Sequence, residues 1–185
     1  MSQNLRNFTA AVFGFDAVVQ RMPADAWDKP SACDGWSARD LLEHQCAVLN
    51  GVAEVARTQA MAKPTPPEDV SNPVAAWNQC RDELFAALDQ PEVLNTEGPF
   101  WFNATTIDDM VGIVAWDPLA HAWDLAQTCG LDACLNEGVA ASSLKTVLSM
   151  QPMLEETGRT GSMVDVAADA SASARFLGAT GRTPQ

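Results

Sequence analysis

The chain has 185 residues, 47% of them hydrophobic, and a formal net charge of −13 with only 11 Lys and Arg. That length suffices to bury a core as one domain over residues 1–185. No apolar run approaches the ~20 residues of a membrane span, and the acidic balance repels a phosphate backbone, which argues against membrane and nucleic-acid partners. The opening Met1-Ser2-Gln3-Asn4-Leu5-Arg6 lacks an export signal, so the expected location is the cytoplasm, with reduced cysteines. Cys33, Cys46, Cys80, Cys129 and Cys134 form neither a disulfide framework nor a metal knuckle and read as small buried apolar residues.

Apolar residues at Leu5, Phe8, Val12, Phe15, Val18 and Val19 recur every three or four positions, predicting an amphipathic first helix that Pro23 stops. The connection from Pro23 to Trp36 holds Trp27, Pro30, Cys33 and Gly35. It has too many breakers for a helix and too many aromatics for a free linker, so it should pack across one end of the fold. Ser37 and Asp40 form a capping-box pattern that starts a second helix, running through Leu41, Leu42, Val48, Leu49, Val52 and Val55 toward Met61. His44 lies inside that helix. Pro64, Pro66 and Pro67 enforce a loop, and a third helix follows from about Pro73, with Val74, Trp77, Leu84, Phe85 and Leu88 inward, ending before Pro91.

Gly98-Pro99-Phe100-Trp101-Phe102-Asn103 reads as a short extended or turn segment whose aromatics plug the bundle end or shield a pocket, the plug being favoured. A fourth helix is predicted from Thr106 or Ile107 to Cys129, closed by Gly130 as a left-handed cap. Another runs from about Glu137 to Thr157 and a last short one from Ser171 to Gly178, with Met163 to Val166 extended between them. Long amphipathic helices joined by short loops predict an all-α antiparallel bundle with additions.

The chain holds only two histidines, His44 and His121. Asp117 and His121 are four residues apart, so on a helix they diverge by about 40° and look out from one face. If the second and fourth helices are neighbours, His44 joins them to give two nitrogens and one oxygen, the donor set of a working metal with open positions. Asp117 also has a competing role as N-cap before Pro118. Met110, Val111, Ile113 and Val114, at helical spacing ahead of it, favour a continuous helix disturbed at Pro118. Asp124 shares the face of His121 and either orients an imidazole, meets a substrate or is a solvated acid. Glu43 points away from His44 and reads as a surface acid. Trp116 is the better pocket candidate of the two tryptophans flanking the motif, Trp123 being the other, although a bundle Trp usually belongs to the core. Arg159 and Arg182 are the late cations that a carboxylate substrate could recruit, and nothing in the sequence places them near the histidines.

The string Cys33-Asp34-Gly35-Trp36-Ser37-Ala38-Arg39-Asp40-Leu41-Leu42-Glu43-His44 and the string Asp117-Pro118-Leu119-Ala120-His121-Ala122-Trp123-Asp124-Leu125-Ala126 resemble the DinB-like superfamily. Within it the chain is most similar to the mycothiol-dependent maleylpyruvate isomerase metal-binding-domain proteins, in their short actinobacterial form. The closing pattern agrees: Asp169-Ala170-Ser171, then Arg175-Phe176-Leu177 and Gly181-Arg182-Thr183-Pro184. The resemblance implies a DinB/YfiT-like antiparallel four-helix bundle with additional C-terminal helices. It also implies a divalent metal on His44, Asp117 and His121, and a low-molecular-weight thiol, mycothiol or a similar one, as cosubstrate.

A metal with two imidazoles and one carboxylate keeps a formal charge of +1, draws in a thiol and favours its thiolate. The expectation is therefore a thiol-dependent transferase or isomerase acting on a small electrophile, with zinc the default ion and nickel or iron compatible. The same site permits a metal-dependent hydrolase. A non-catalytic metal- or ligand-binding stress-response module is the remaining alternative. The chain is expected to be a monomer or homodimer, too short for the second domain that some relatives carry.

Overall fold

The computed structural model describes residues 1–184 and contains seven α-helices among them: α1 (Gln3–Val19), α2 (Ala38–Thr58), α3 (Pro73–Leu88), α4 (Ile107–Val114), α5 (Trp116–Gln127), α6 (Glu137–Glu156) and α7 (Ala172–Ala179). Single-turn 3-10 helices occupy Val93–Asn95 and Trp101–Asn103. Among the described residues there is no strand, only isolated bridges between Pro30 and Ser37 and between Glu97 and Thr106. The fold is an all-α DinB-like bundle in which α2 packs on α3, α1 on α4 and α5, and the pair α6 and α7 closes over the far side of α5.

Local chemistry sets the helix starts. Ser37 Oγ accepts from the Asp40 amide at 3.2 Å while the Asp40 carboxylate accepts from the Ser37 amide at 2.8 Å, so both halves of the capping box are made. At the end of α5, Gly130 adopts φ +63 and the Leu131 amide reaches back to the Ala126 carbonyl at 3.0 Å, closing the helix as its sequence predicts. The fourth predicted helix is interrupted at Ala115, which stays in right-handed helical conformation (φ −55, ψ −25). Pro118 has no amide hydrogen for the Val114 carbonyl, so the ladder breaks without a change of direction into loop. Met163 to Val166 forms no strand, although the Val164 amide bonds the Gly178 carbonyl at 2.9 Å.

Two apolar cores flank α5. The larger is built on Phe8, Phe15, Leu41, Leu49, Trp77 and Met110 and takes Ala122, Leu125 and Ala126 from α5. The smaller lies beneath α6 and α7, around Val147, Leu154 and Phe176, and takes Trp116, Leu119 and Ala120 from the other side of α5. Nine of the twelve residues of α5 are buried, His121 and Asp124 among them. A helix enclosed on nearly every side cannot leave polar groups to water, so each one facing inward needs a partner from the protein or from a ligand.

The aromatic run at 100–102 serves both predicted purposes. Phe100 is buried in the larger core. The Trp101 ring lies across Gly51, where any Cβ would fall 2.7 Å from it, and its Nε1 donates to the Ala62 carbonyl at 2.7 Å. Phe102 turns toward the cavity described below. The capping box fixes the start of the helix that carries His44, and Ser37→Ala is expected to destabilise the fold by about 1 kcal/mol. A lowered urea midpoint with unchanged slope would measure this, and an unchanged midpoint would show the cap to be redundant.

Candidate metal centre

Helices α2 and α5 bring the three predicted donors together. His44 Nε2 is 3.5 Å from Asp117 Oδ2, and His121 Nε2 is 3.7 Å from Asp117 Oδ1. One donor atom from each residue lies within 4.8 Å of the other two, and the imidazole rings meet edge to face at 5.1 Å between centroids. Asp117 makes no side-chain cap for its own helix. Its carboxylate accepts instead from Gln45 Nε2 at 2.6 Å, across the groove from the neighbouring helix. Burial works against the Asp117 charge, but His121 and His44 with the Gln45 bond outweigh it and hold the carboxyl down to about 2. For His44, burial opposes protonation and the Asp117 hydrogen bond and charge exceed it, so its pKa lies above the ordinary histidine value.

Asp124 takes the other nitrogen of His121. Its Oδ2 lies 2.8 Å from His121 Nδ1, an arrangement that places the Nδ1 hydrogen on the Asp124 side and turns Nε2 toward Asp117. The sequence expectation of an imidazole-orienting acid therefore describes this residue, and that of a solvated helix acid does not: only 1% of Asp124 is exposed. Arg182, from the turn after α7, closes on the same carboxylate with Nε at 2.8 Å and Nη2 at 2.5 Å. Burial raises the carboxyl pKa, and the Arg182 and His121 hydrogen bonds and charges pull it well below the usual carboxylate range. Gly181 makes this turn possible. Its φ is +81, and a Cβ there would stand 2.6 Å from Gly161 Cα.

The front of the site comes from the segment before α2. The Trp36 amide donates to the Cys33 carbonyl at 3.1 Å and Gly35 takes φ +76, which closes a tight turn over Cys33-Asp34-Gly35-Trp36. This turn presents both of its end side chains to the histidines. The Trp36 ring stacks over His121 at 6.3 Å and tilts against His44 at 5.2 Å. Cys33 Sγ donates to Asp124 Oδ2 at 3.3 Å, while burial and the Asp124 charge push the thiol up to about 12. In front lies a cavity of about 710 Å³ whose wall includes Trp36, His44, Trp116, His121, Arg159 and Arg182.

Sequence reasoning missed four of these groups. Cys33, read as a small buried apolar residue, sits at the centre. Arg182 and Arg159, which nothing in the sequence placed near the histidines, both reach the cavity, because the turn after α7 and the turn after α6 fold back over α5. Gln45 was passed over beside His44. The signal for Cys33, Gln45 and Arg182 was their proximity to or presence in the quoted strings, without a physical reason attached to any of them. Trp116 is buried in the smaller core and also borders the cavity, and its Nε1 has no hydrogen-bond partner. Glu43 forms no part of the cavity wall.

Asp124 and Arg182 form a buried ion pair, with side chains 2% and 12% exposed. Removing one member strands the other's charge, so Arg182→Met is expected to cost about 3–5 kcal/mol. Adding Asp124→Asn to it should recover part of that loss in a chemical-denaturation cycle. Strictly additive costs would contradict the coupling.

Comparison with known proteins agrees with the architecture. The chain is 28% identical over 132 residues to "Uncharacterized protein MT0763" of Mycobacterium tuberculosis (strain CDC 1551 / Oshkosh), an alignment covering 70% of this chain and 69% of that protein. "Uncharacterized protein Rv0738" of strain ATCC 25618 / H37Rv matches with the same identity and coverage. No solved structure matches the chain. No helix among the described residues is long and apolar enough to cross a membrane. The DinB superfamily model matches residues 11–125, more than half of the chain and the stretch that carries both histidines, and the chain belongs to the DinB superfamily.

Proposed function

We propose that this chain is a metal-dependent enzyme that holds a divalent cation through His44, Asp117 and His121 and joins or isomerises a small electrophile with the help of a low-molecular-weight thiol such as mycothiol. The observation that carries the reading is the convergence of three donors within 4.8 Å. Two donors sharing a tetrahedral zinc at bond lengths of ~2.0–2.1 Å stand about 3.3 Å apart. The His44–Asp117 and His121–Asp117 separations of 3.5 and 3.7 Å lie close to that value before any adjustment. The donor types favour zinc and also suit nickel or iron.

Such an ion, when bound, supplies a Lewis acid that converts a thiol to its thiolate or polarises an electrophile's oxygen. The chain's own residues arrange the remainder. Asp124 keeps a hydrogen on His121 Nδ1 and so leaves Nε2 with its lone pair toward the cluster. Gln45 holds one Asp117 oxygen in place by its amide, which limits rotation of the carboxylate. Trp36 covers the two imidazoles from the solvent side. The cavity of about 710 Å³ has room for a thiol and an electrophile side by side.

His121→Ala is expected to abolish zinc retention while leaving the helical circular dichroism intact, and unchanged zinc content would remove His121 from the site. Zinc-loaded protein is expected to consume an electrophile from a panel only when mycothiol is added. Turnover of an ester or amide without thiol would instead mark a metal-dependent hydrolase.

A further inference from the structure

The cavity wall contains a second cation with no acid to answer it. Arg182 is committed to Asp124 through two hydrogen bonds. Arg159 has none: among the described residues its guanidinium forms no ion pair or hydrogen bond, and its ring contact is with Phe102, whose centroid lies 5.3 Å from Cζ. In a chain with 24 Asp and Glu against 11 Lys and Arg, an unanswered arginine at a cavity wall runs against the average environment.

The backbone around Arg159 is built to hold it there. After α6 the chain turns at Gly158, φ +67, and the Arg159 amide bonds the Leu154 carbonyl at 2.8 Å, which anchors the residue to the helix end. The ring beneath the guanidinium is held by Phe102, a bulky residue at φ 56 followed by Asn103 at φ 60. Left-handed backbone at such a residue costs of order 1–3 kcal/mol and persists only where the surroundings impose it. Thr160, next in sequence, borders the same cavity, is 92% buried by its 8% exposure, and its hydroxyl has no partner. Trp116 adds an indole N–H with no partner on the same wall.

Formal charges around the cavity point the same way. Asp34, Asp117 and Asp124 contribute three negative charges, and Arg182 with a divalent ion offsets them in full. Arg159 then leaves one positive charge in a cavity of a chain whose net charge is −13. One planar guanidinium with one uncompensated charge matches the two oxygens of one carboxylate. A phosphate dianion would ask for further cations, and the wall holds no lysine and no third arginine.

We propose that Arg159 is the carboxylate-recognition residue of this cavity, so that the small electrophile it takes carries a carboxylate, gripped by the guanidinium with the Thr160 hydroxyl and Trp116 indole available as further donors. The proposal rests on the metal-centre reading for which end of the ligand reacts, and stands on Arg159 alone for which end is recognised.

Succinate and its uncharged analogue succinamide serve as probes, titrated calorimetrically into zinc-loaded wild-type protein, Arg159→Gln and Arg159→Lys. Wild type is expected to bind succinate at least tenfold more tightly than succinamide. Arg159→Gln is expected to lose at least tenfold in succinate affinity with succinamide binding, zinc content and melting temperature unchanged, and Arg159→Lys to fall between. Wild-type succinate affinity in Arg159→Gln, absence of any preference in wild type, or no succinate binding at all would each overturn the proposal. The same titrations on zinc-free protein separate the two readings. An Arg159-dependent preference that survives in a protein unable to retain zinc would remove the metal centre and keep the carboxylate site, whereas zinc retention without that preference would do the reverse.

Discussion

Enclosure of α5 between two apolar cores is the constraint from which the rest of the site follows. With Trp116, Leu119 and Ala120 facing one core and Ala122, Leu125 and Ala126 the other, one stripe of the helix remains, and it holds Asp117, His121 and Asp124. A carboxylate taken out of water without compensation loses several kcal/mol, so two of them on one buried stripe require cations and hydrogen-bond donors brought from elsewhere. The chain recruits those from three separate elements. Gln45 and His44 come from α2, Cys33 and Trp36 from the turn before it, and Arg182 from the turn after α7.

That recruitment links stability to function through the same atoms. Arg182 neutralises Asp124, Asp124 orients His121, and His121 faces Asp117, so a group near the end of the described chain sets the direction of an imidazole some 60 positions earlier. Gly161 and Gly181 approach too closely for any side chain at position 181, which is why the turn after α7 can lie against the turn after α6 and bring Arg182 and Arg159 to neighbouring parts of one cavity. The smaller core under α6 and α7 thus supplies more than added burial: it delivers both cationic residues of the cavity wall.

The sequence carried the local part of this architecture plainly and the long-range part faintly. Ser37 with Asp40, and Gly130 after Cys129, act within one helical turn, so their chemistry is readable from a few adjacent letters, and the corresponding ends appear where the pattern puts them. Asp117 followed by Pro118 was ambiguous because the same dipeptide starts a helix or interrupts one. Tertiary partners decided it, since Gln45 and the two imidazoles occupy the carboxylate that would otherwise cap. Arg182 pairs with a residue 58 positions away and Cys33 with one 91 positions away, separations at which periodicity carries no information. Phe102 has the same limitation: its composition suggests a plug, and only the positive φ reveals that its ring is turned under Arg159.

Two donor clusters share His121, one through Nε2 with His44 and Asp117 and the other through Nδ1 with Cys33 and Asp124. The second is already engaged, because Asp124 is bonded to Arg182 and to the imidazole. The most direct test is anomalous diffraction at the zinc absorption edge from crystals grown with the ion. The account predicts one peak at about 2.0–2.2 Å from His44 Nε2, His121 Nε2 and an Asp117 oxygen. A peak beside Cys33 and Asp124, or no peak among these residues with zinc in excess, would contradict it.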